Sequence, residues 1–238
     1  MRKIVFVDYR ISAAAVESLE RRGFYTVTLP PYARLGAAVN AHTDMLLLKI
    51  GRDYFAYADY VERAPHVFDE LYASGDVRIH FVEGDVADRY PRDCGLNVLV
   101  MGNDAFFNPK AINPYVLDFL HSGGYTLHGV RQGYPACTTL KLDLENAITS
   151  DAGMARALTA AGKHVTLIDS GNILLPPHKY GFIGGTAGIT DGTVYFSGKI
   201  EAHPCFSQIE AAIQISGLKY ISLTDEPLLD VGGLLFTD

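Results

Sequence analysis

The sequence lacks several features that would assign it to a specialised class of protein. None of its 238 residues is tryptophan, and only three are cysteine. An odd, small number of cysteines argues against a disulfide framework and favours a reducing, cytoplasmic setting. No apolar run approaches the ~18 residues that a membrane-spanning helix needs. We therefore expect a cytoplasmic globular protein with no membrane partner.

The chain also lacks a basic segment. Its 27 Asp and Glu residues outnumber its 20 Lys and Arg residues, which gives a net charge of −7. This balance disfavours nucleic acids as partners and is more compatible with a small cationic ligand. A homodimer is compatible with the sequence.

Motifs for cofactors and metals are missing as well. The first predicted strand, KIVFVD, is followed by DYRISAAA rather than by a G-x-G-x-x-G loop, which disfavours a nucleotide-dependent α/β enzyme. The histidines and cysteines show no recognised metal-ligand spacing, although a ring-shaped fold could gather ligands that sequence spacing hides. We expect no cofactor and no metal.

An internal repeat is the strongest signal that the sequence does contain. Five amphipathic helix patterns each end at a glycine just before a predicted strand, every ~40–55 residues. A glycine at this position closes a helix in the left-handed conformation. The five glycines are Gly23, Gly75, Gly123, Gly162 and Gly217.

Each repeat unit reads as strand, helix, strand and strand. A doubly wound fold has about one strand per helix, whereas this chain has about three. We predict one α+β domain over residues 1–238, built as a five-fold pseudosymmetric α/β propeller whose closure removes exposed sheet edges. The predicted units are 1–51, 52–102, 103–143, 144–191 and 192–238.

Four short motifs resemble elements of one known superfamily. Arg92-Asp93-Cys94-Gly95 resembles the Arg-Asp-x-Gly-Pro element of agmatine deiminases, with Leu96 in place of the proline. Asp169-Ser170-Gly171-Asn172 resembles a Glu-Gly-Gly-Asp/Asn element, and His42-Thr43-Asp44 resembles a His-x-Asp element, although it lies early in the chain. Asp230-Val231-Gly232-Gly233 resembles the glycine-rich approach to a catalytic cysteine.

Together with the repeat, these motifs resemble the pentein fold of the guanidine-modifying superfamily. That superfamily includes arginine deiminase, agmatine deiminase, dimethylarginine dimethylaminohydrolase and the amidinotransferases. The chain is most similar to a bacterial branch of the fold to which the resemblance assigns no reaction. It departs from the active enzymes after Gly233, where it reads Leu234-Leu235-Phe236-Thr237 and offers no nucleophilic cysteine.

Cys137 is the first candidate for a relocated nucleophile, because it follows a proline and precedes a predicted strand. It would need activation by a neighbouring base or positive charge. His42 could act as general acid or base, and Asp44, two residues on, would point to the same side of an extended strand. For Cys137 the structural alternative is a buried small residue, and for His42 it is a hydrogen bond to a loop carbonyl.

The candidate ligand-binding residues are mostly acidic. Paired carboxylates fit the planar fork of a guanidinium group. Asp169 and Asp230 could instead cap turns beside glycines, and Arg92 could bind a ligand carboxylate or neutralise Asp93. The candidate substrate-binding set is Arg92, Asp93, Cys94, Asp169, Asn172 and Asp230.

Two functions follow from these residues. The first is an enzyme, a hydrolase or transferase acting on a guanidino, amidino or amine compound through a relocated cysteine. The second is a non-catalytic pentein that binds a small molecule or a protein. The ribosome anti-association factor of archaea and eukaryotes has the same kind of ring, so the fold alone does not imply catalysis.

Overall fold

The computed structural model describes residues 2–237, which form fifteen strands and eight α-helices. The helices are α1 (Ala13–Glu20), α2 (Thr43–Leu46), α3 (Ala58–Arg63), α4 (Pro65–Ala73), α5 (Pro114–Ser122), α6 (Pro135–Thr138), α7 (Ala152–Ala160) and α8 (Phe206–Ile215). The strands are β1 (Ile4–Asp8), β2 (Tyr25–Leu29), β3 (Leu48–Ile50), β4 (Asp53–Tyr57), β5 (Arg78–Val82), β6 (Leu99–Met101), β7 (Asp104–Phe107), β8 (Thr126–Gly129), β9 (Thr139–Lys141), β10 (Asn146–Thr149), β11 (His164–Leu167), β12 (Ala187–Thr190), β13 (Thr193–Phe196), β14 (Lys219–Ser222) and β15 (Leu235–Phe236). Within residues 2–237, no helix combines the length and apolar character that crossing a membrane requires.

The strands form five three-stranded sheets of one design. In each sheet, a central strand pairs antiparallel with an inner strand and parallel with an outer strand, as β4 does with β3 and β5. One or two helices connect the central strand to the outer one. The mixed α+β architecture with five repeated units is therefore confirmed.

The first sheet is assembled from both ends of the chain. Strand β15 pairs antiparallel with β1, with Val5 opposite Phe236 and Phe6 opposite Leu235. Strand β1 pairs parallel with β2 on its other side. The last strand of the chain thus occupies the inner position of the first unit.

The sheets are offset from the units predicted from sequence. Predicted boundaries such as 51/52 and 102/103 fall in the tight turns between an inner strand and the central strand of the same sheet. In the sequence, the glycines at these turns resemble the ends of units. In the structure, each lies in the turn that connects the two strands of one hairpin. Positive φ angles occur as predicted at four glycines, namely Gly23, Gly75, Gly162 and Gly217. In the third unit the positive φ angle lies at Gly124 rather than at the predicted Gly123.

Two neighbouring sheets repeat the same three side chains. In each sheet the histidine on the outer strand contacts the first residue of the central strand at 2.7 Å. Its ring also stacks on a phenylalanine two residues further along that strand, with centroids 4.6 Å apart. The two sets are Asp53, Phe55 and His80 in one sheet, and Asp104, Phe106 and His128 in the next. This shared packing is independent evidence that the units repeat.

The five inner strands surround a common axis. A cavity of about 350 Å³ is lined by residues of β3, β6, β9, β12 and β15 together. The segments that precede these strands, including α2, α6 and residues 230–234, are therefore brought together from distant parts of the chain. Any chemistry at the axis depends on this convergence.

Replacement of Asp104 by Asn tests the repeated polar contact. Asp104 accepts hydrogen bonds from Lys163 at 2.8 Å and His128 at 2.7 Å, and the Lys163 ammonium holds the pKa of Asp104 below its usual range. Asp104→Asn should lower the free energy of unfolding by about 1–2 kcal/mol at pH 7. Because a depressed folded-state pKa stabilises only above the unfolded value of ~3.9, this difference should shrink as pH falls below about 4. Urea denaturation at several pH values measures it.

The matched control is Asp225→Asn, which removes an exposed partner of Lys199. A surface pair of this kind should change stability by less than about 0.5 kcal/mol. Equal losses in the two variants would contradict a structural role for Asp104.

Candidate active site

Two short helical turns carry the central side chains of the site. His42 immediately precedes α2, and Cys137 lies within α6. The expectation that His42 and Asp44 lie on an extended strand is wrong, because Leu47 N–H donates to the Thr43 carbonyl at 2.8 Å and closes a turn. The Thr43 hydroxyl also donates to the Gly233 carbonyl at 2.9 Å, which fixes this turn against the end of the chain.

Cys137, Asp230 and His42 form one buried cluster. The Cys137 Sγ lies 3.5 Å from each carboxylate oxygen of Asp230, and the three side chains offer ligand atoms within 4.8 Å of one another. Asp230 also accepts the backbone N–H of Phe182 at 2.8 Å and that of Gly232 at 3.1 Å. Three candidates from separate parts of the sequence are thus brought together.

Two glycines make this packing sterically feasible. A Cβ atom at Gly185 would lie 1.9 Å from Oδ1 of Asp230. A Cβ at Gly232 would lie 2.4 Å from the His42 Cβ, and Gly232 has a φ of +68°. The glycine-rich segment after Asp230 is therefore required by the close approach of His42, even though no catalytic cysteine follows it.

Three carboxylates surround the His42 ring. Its Nδ1 lies 3.8 Å from Asp230 Oδ1 and 3.9 Å from Asp44 Oδ1, while Nε2 lies 4.0 Å from Asp8 Oδ2. Asp8 is held by Arg10, whose Nε donates to it at 2.9 Å. Asp8 was not among the site residues predicted from the sequence. Its only distinguishing feature there is that it is the acidic last residue of the strand KIVFVD.

Burial controls the ionisation of the cluster. It lowers the pKa of His42 to about 3, with the Arg10 charge acting in the same direction. Burial raises the pKa of Asp44 to about 8, reinforced by the Asp230 charge, and raises the pKa of Asp230 to about 6. Burial and the two carboxylates also raise the pKa of the Cys137 thiol well above its usual range. At neutral pH the imidazole is therefore uncharged, and the Cys137 thiol and most of Asp44 are protonated, which leaves Asp230 as the main negative charge of the cluster.

The cluster opens into a cavity of about 700 Å³ whose lining includes His42, Asp93, Tyr134, Cys137 and Tyr180. The Tyr134 hydroxyl donates to Oδ2 of Asp93 at 2.6 Å. Oδ1 of Asp93 is buried and has no hydrogen-bond partner in the part of the chain that the structure describes. Asp93 thus lines the cavity, and the Tyr134 hydroxyl orients its carboxylate. Sequence reasoning missed Tyr134.

The remaining candidates lie elsewhere. Arg92 is exposed and pairs with Asp85 at 2.7 Å, so its expected neutralisation of Asp93 is wrong. Cys94 is buried, its thiol 3.5 Å from the Pro91 carbonyl, and burial raises its pKa. Asp169 and Asn172 are exposed and do not line the cavity. Asp169 instead lies 4.0 Å from Cys205 Sγ.

Phe236 occupies the region where the resemblance implies a nucleophile. Its ring is buried, 5.0 Å from the Phe24 ring and 5.5 Å from the Tyr195 ring. This end of the chain is hydrophobic core. The thiol in the cluster comes instead from Cys137, in helix α6 directly before the fourth sheet. Cys137 is the residue that the sequence hypothesis names as a relocated nucleophile.

Solved structures with the same fold include guanidino-modifying enzymes. Dimethylarginine dimethylaminohydrolase of Pseudomonas aeruginosa in complex with citrulline is 10% identical, covers 94% of this chain and 93% of its own, and superposes with a TM-score of 0.55. Inosamine-phosphate amidinotransferase of Streptomyces griseus is 15% identical over 89% of this chain and 73% of its own, with a TM-score of 0.54. Agmatine deiminase of C. jejuni is 8% identical over 93% of this chain and 75% of its own, with a TM-score of 0.55.

These similarities confirm the predicted pentein fold. No curated protein matches the chain by sequence. The model of the family of unknown function DUF6873 matches residues 6–235, and the chain therefore belongs to that family.

Proposed function

We propose that the protein is an enzyme that cleaves a C–N bond of a small guanidinium or amidinium compound, with Cys137 as the nucleophile. One observation carries the proposal. A thiol, a carboxylate and an imidazole lie within 4.8 Å of one another beside a cavity of about 700 Å³. Structural similarity to guanidino-modifying enzymes supports the same substrate class.

Asp93 and Asp230 are the proposed cation-binding groups. Oδ1 of Asp93 lacks a hydrogen-bond partner among residues 2–237, and both Asp230 oxygens contact the thiol at 3.5 Å. A planar cation with several N–H donors can bond to carboxylates on both sides. Its charge would also lower the pKa of the Cys137 thiol, so the thiolate would form mainly when the ligand is bound.

The proposed reaction has two steps. Cys137 Sγ attacks the central carbon and an S–C bond forms, while the Asp230 carboxylate, to which the thiol donates at 3.5 Å, accepts the thiol proton. Asp230 then passes this proton to the departing nitrogen as the C–N bond breaks, which releases ammonia or an amine. Water adds to the resulting thiouronium, the S–C bond breaks, and a urea-type product leaves with the thiol restored and one proton released. An acceptor amine in place of water would make the same site a transferase.

A binding protein without chemistry is the second candidate. The observation that favours it is Phe236, which packs in the core in the region where the resemblance to guanidine-modifying enzymes implies a nucleophile. Such a protein would bind the same cations through Asp93 and Asp230. It would not form a covalent bond through Cys137.

A matched pair of alkylating agents tests the role of Cys137. 2-Chloroacetamidine carries a cationic amidinium group, while 2-chloroacetamide is neutral and almost the same size. The amidine should alkylate Cys137 at least ~10-fold faster than the amide, because its charge is attracted to the carboxylates and stabilises the thiolate. Peptide mass spectrometry locates the adduct and measures the rate.

Cys94 and Cys205 serve as internal controls, since neither lines the cavity. Asp93→Asn should remove most of the amidine's advantage without changing the rate with the amide. Equal rates for the two reagents at Cys137, or preferential labelling of Cys94, would contradict the proposal.

Ligand-induced stabilisation tests the binding step separately. Agmatine, arginine, methylated arginines and simple amidines should be screened by thermal shift. A true ligand at 100 times its Kd should raise the free energy of unfolding by about 2.7 kcal/mol. Asp93→Asn should abolish the shift, because it removes one of the two negative charges that face the cation.

The matched control for this variant is Asp85→Asn, which alters an exposed carboxylate paired with Arg92 outside the cavity. It should leave the shift unchanged. If no cation stabilises the wild-type protein, the guanidinium-binding proposal is wrong. Binding without conversion of any tested ligand, together with no alkylation advantage, would favour the second candidate.

A further inference from the structure

We propose that His42, Cys137, Asp230 and Asp44 form a binding site for a divalent metal ion of the zinc type. The metal-site proposal does not depend on the reaction proposed above, although both use the Cys137 thiol. Imidazole, thiolate and carboxylate are the ligands that Zn²⁺ prefers in proteins. His42, Cys137 and Asp230 offer ligand atoms within 4.8 Å of one another, and Asp44 lies beside them with Oδ1 3.9 Å from Nδ1 of His42.

The spacing of the ligand atoms is close to that of a tetrahedral site. With Zn–S near ~2.3 Å and Zn–O near ~2.0 Å, tetrahedral angles place sulfur and oxygen about 3.5 Å apart. The two separations of Cys137 Sγ from the Asp230 oxygens are both 3.5 Å. Nδ1 of His42 lies 3.8 Å from Asp230 and 3.9 Å from Asp44, so a shift of about half an ångström would bring it to the expected ~3.3 Å.

The far side of the His42 ring faces a carboxylate, the kind of group to which metal-bound histidines often donate. A ligating histidine normally turns its other ring nitrogen toward a carboxylate or carbonyl, which fixes its orientation. Nε2 of His42 faces Oδ2 of buried Asp8 at 4.0 Å, and Arg10 fixes Asp8 in turn. Nε2 has no hydrogen-bond partner within the described residues, so a shift of the ring toward Asp8 would be needed to form one, and His42 is 1% exposed.

Asp44 is a further oxygen donor beside the cluster. Both of its carboxylate oxygens are buried, and neither has a hydrogen-bond partner in residues 2–237. A buried carboxyl group is normally hydrogen-bonded, protonated or bound to a metal, because an isolated buried charge is costly. A metal ion at the cluster would compensate Asp44, Asp230 and the Cys137 thiolate together.

An ion can reach this position from solvent. Cys137 and His42 both line the cavity of about 700 Å³ that opens above the cluster. A metal bound to the thiolate would exclude alkylation of Cys137. Metal binding would therefore make the thiol unavailable to any electrophile, whether or not the protein acts on guanidinium compounds.

Titration of chelator-treated full-length protein with Co²⁺ tests the site directly. One equivalent should bind and produce a thiolate-to-cobalt charge-transfer band in the near ultraviolet, which Zn²⁺ should remove by displacing the cobalt. Mg²⁺ should not compete, because it prefers oxygen ligands. Cys137→Ser should abolish the band, while Cys94→Ser should leave it unchanged. Asp8→Asn should weaken Co²⁺ binding by about 10–100-fold, the usual effect of removing a histidine's outer partner.

A protection experiment covers the case in which Cys137→Ser fails to fold. One equivalent of Zn²⁺ should slow iodoacetamide labelling of Cys137 in the wild-type protein while leaving Cys205 unaffected. The absence of a charge-transfer band in the wild type, or an undiminished band in folded Cys137→Ser, would overturn the proposal. Neither readout uses a substrate, so failure here would leave the guanidinium reaction untouched.

Discussion

The pairing of the last strand with the first is the constraint on which the rest of the structure depends. Strand β15 adds to β1 through the register Val5–Phe236 and Phe6–Leu235. This pairing holds residues 230–234 beside the turn that begins at His42, where Asp44 N–H donates to the Gly232 carbonyl at 3.1 Å. Without this strand pairing, Asp230 would not be held next to His42.

The closure also determines the electrostatics of the axis. It brings Asp230 beside His42, next to the buried carboxylate oxygens of Asp44 and across the His42 ring from buried Asp8. Arg10 bonds to Asp8 but not to the carboxylates that contact the thiol. The result is a buried region with more acidic than basic groups, in which burial raises the pKa of Asp44 and of Asp230. Both proposals, an organic cation and a metal ion, follow from this imbalance.

Sequence reasoning predicted the repeat, the pentein fold and the central residues of the candidate site. Cys137, His42 and Asp230 could be grouped because equivalent segments of a ring must converge. The offset of the units could not be predicted, because a hairpin glycine such as Gly51 and a unit boundary produce the same local pattern. Asp8 and Tyr134 were missed because their importance depends on contacts made across the fold. Arg92 was misassigned because its partner, Asp85, is set by the loop conformation.

A crystal structure of the protein with bound agmatine tests the central claim most directly. The account predicts that the guanidinium group lies in the cavity with its central carbon about 3–3.5 Å from Cys137 Sγ, the distance of a reactive arrangement. Its nitrogens should contact Asp93 and Asp230. A guanidinium bound away from this cavity, or an Asp230 side chain that does not contact Cys137, would contradict the account.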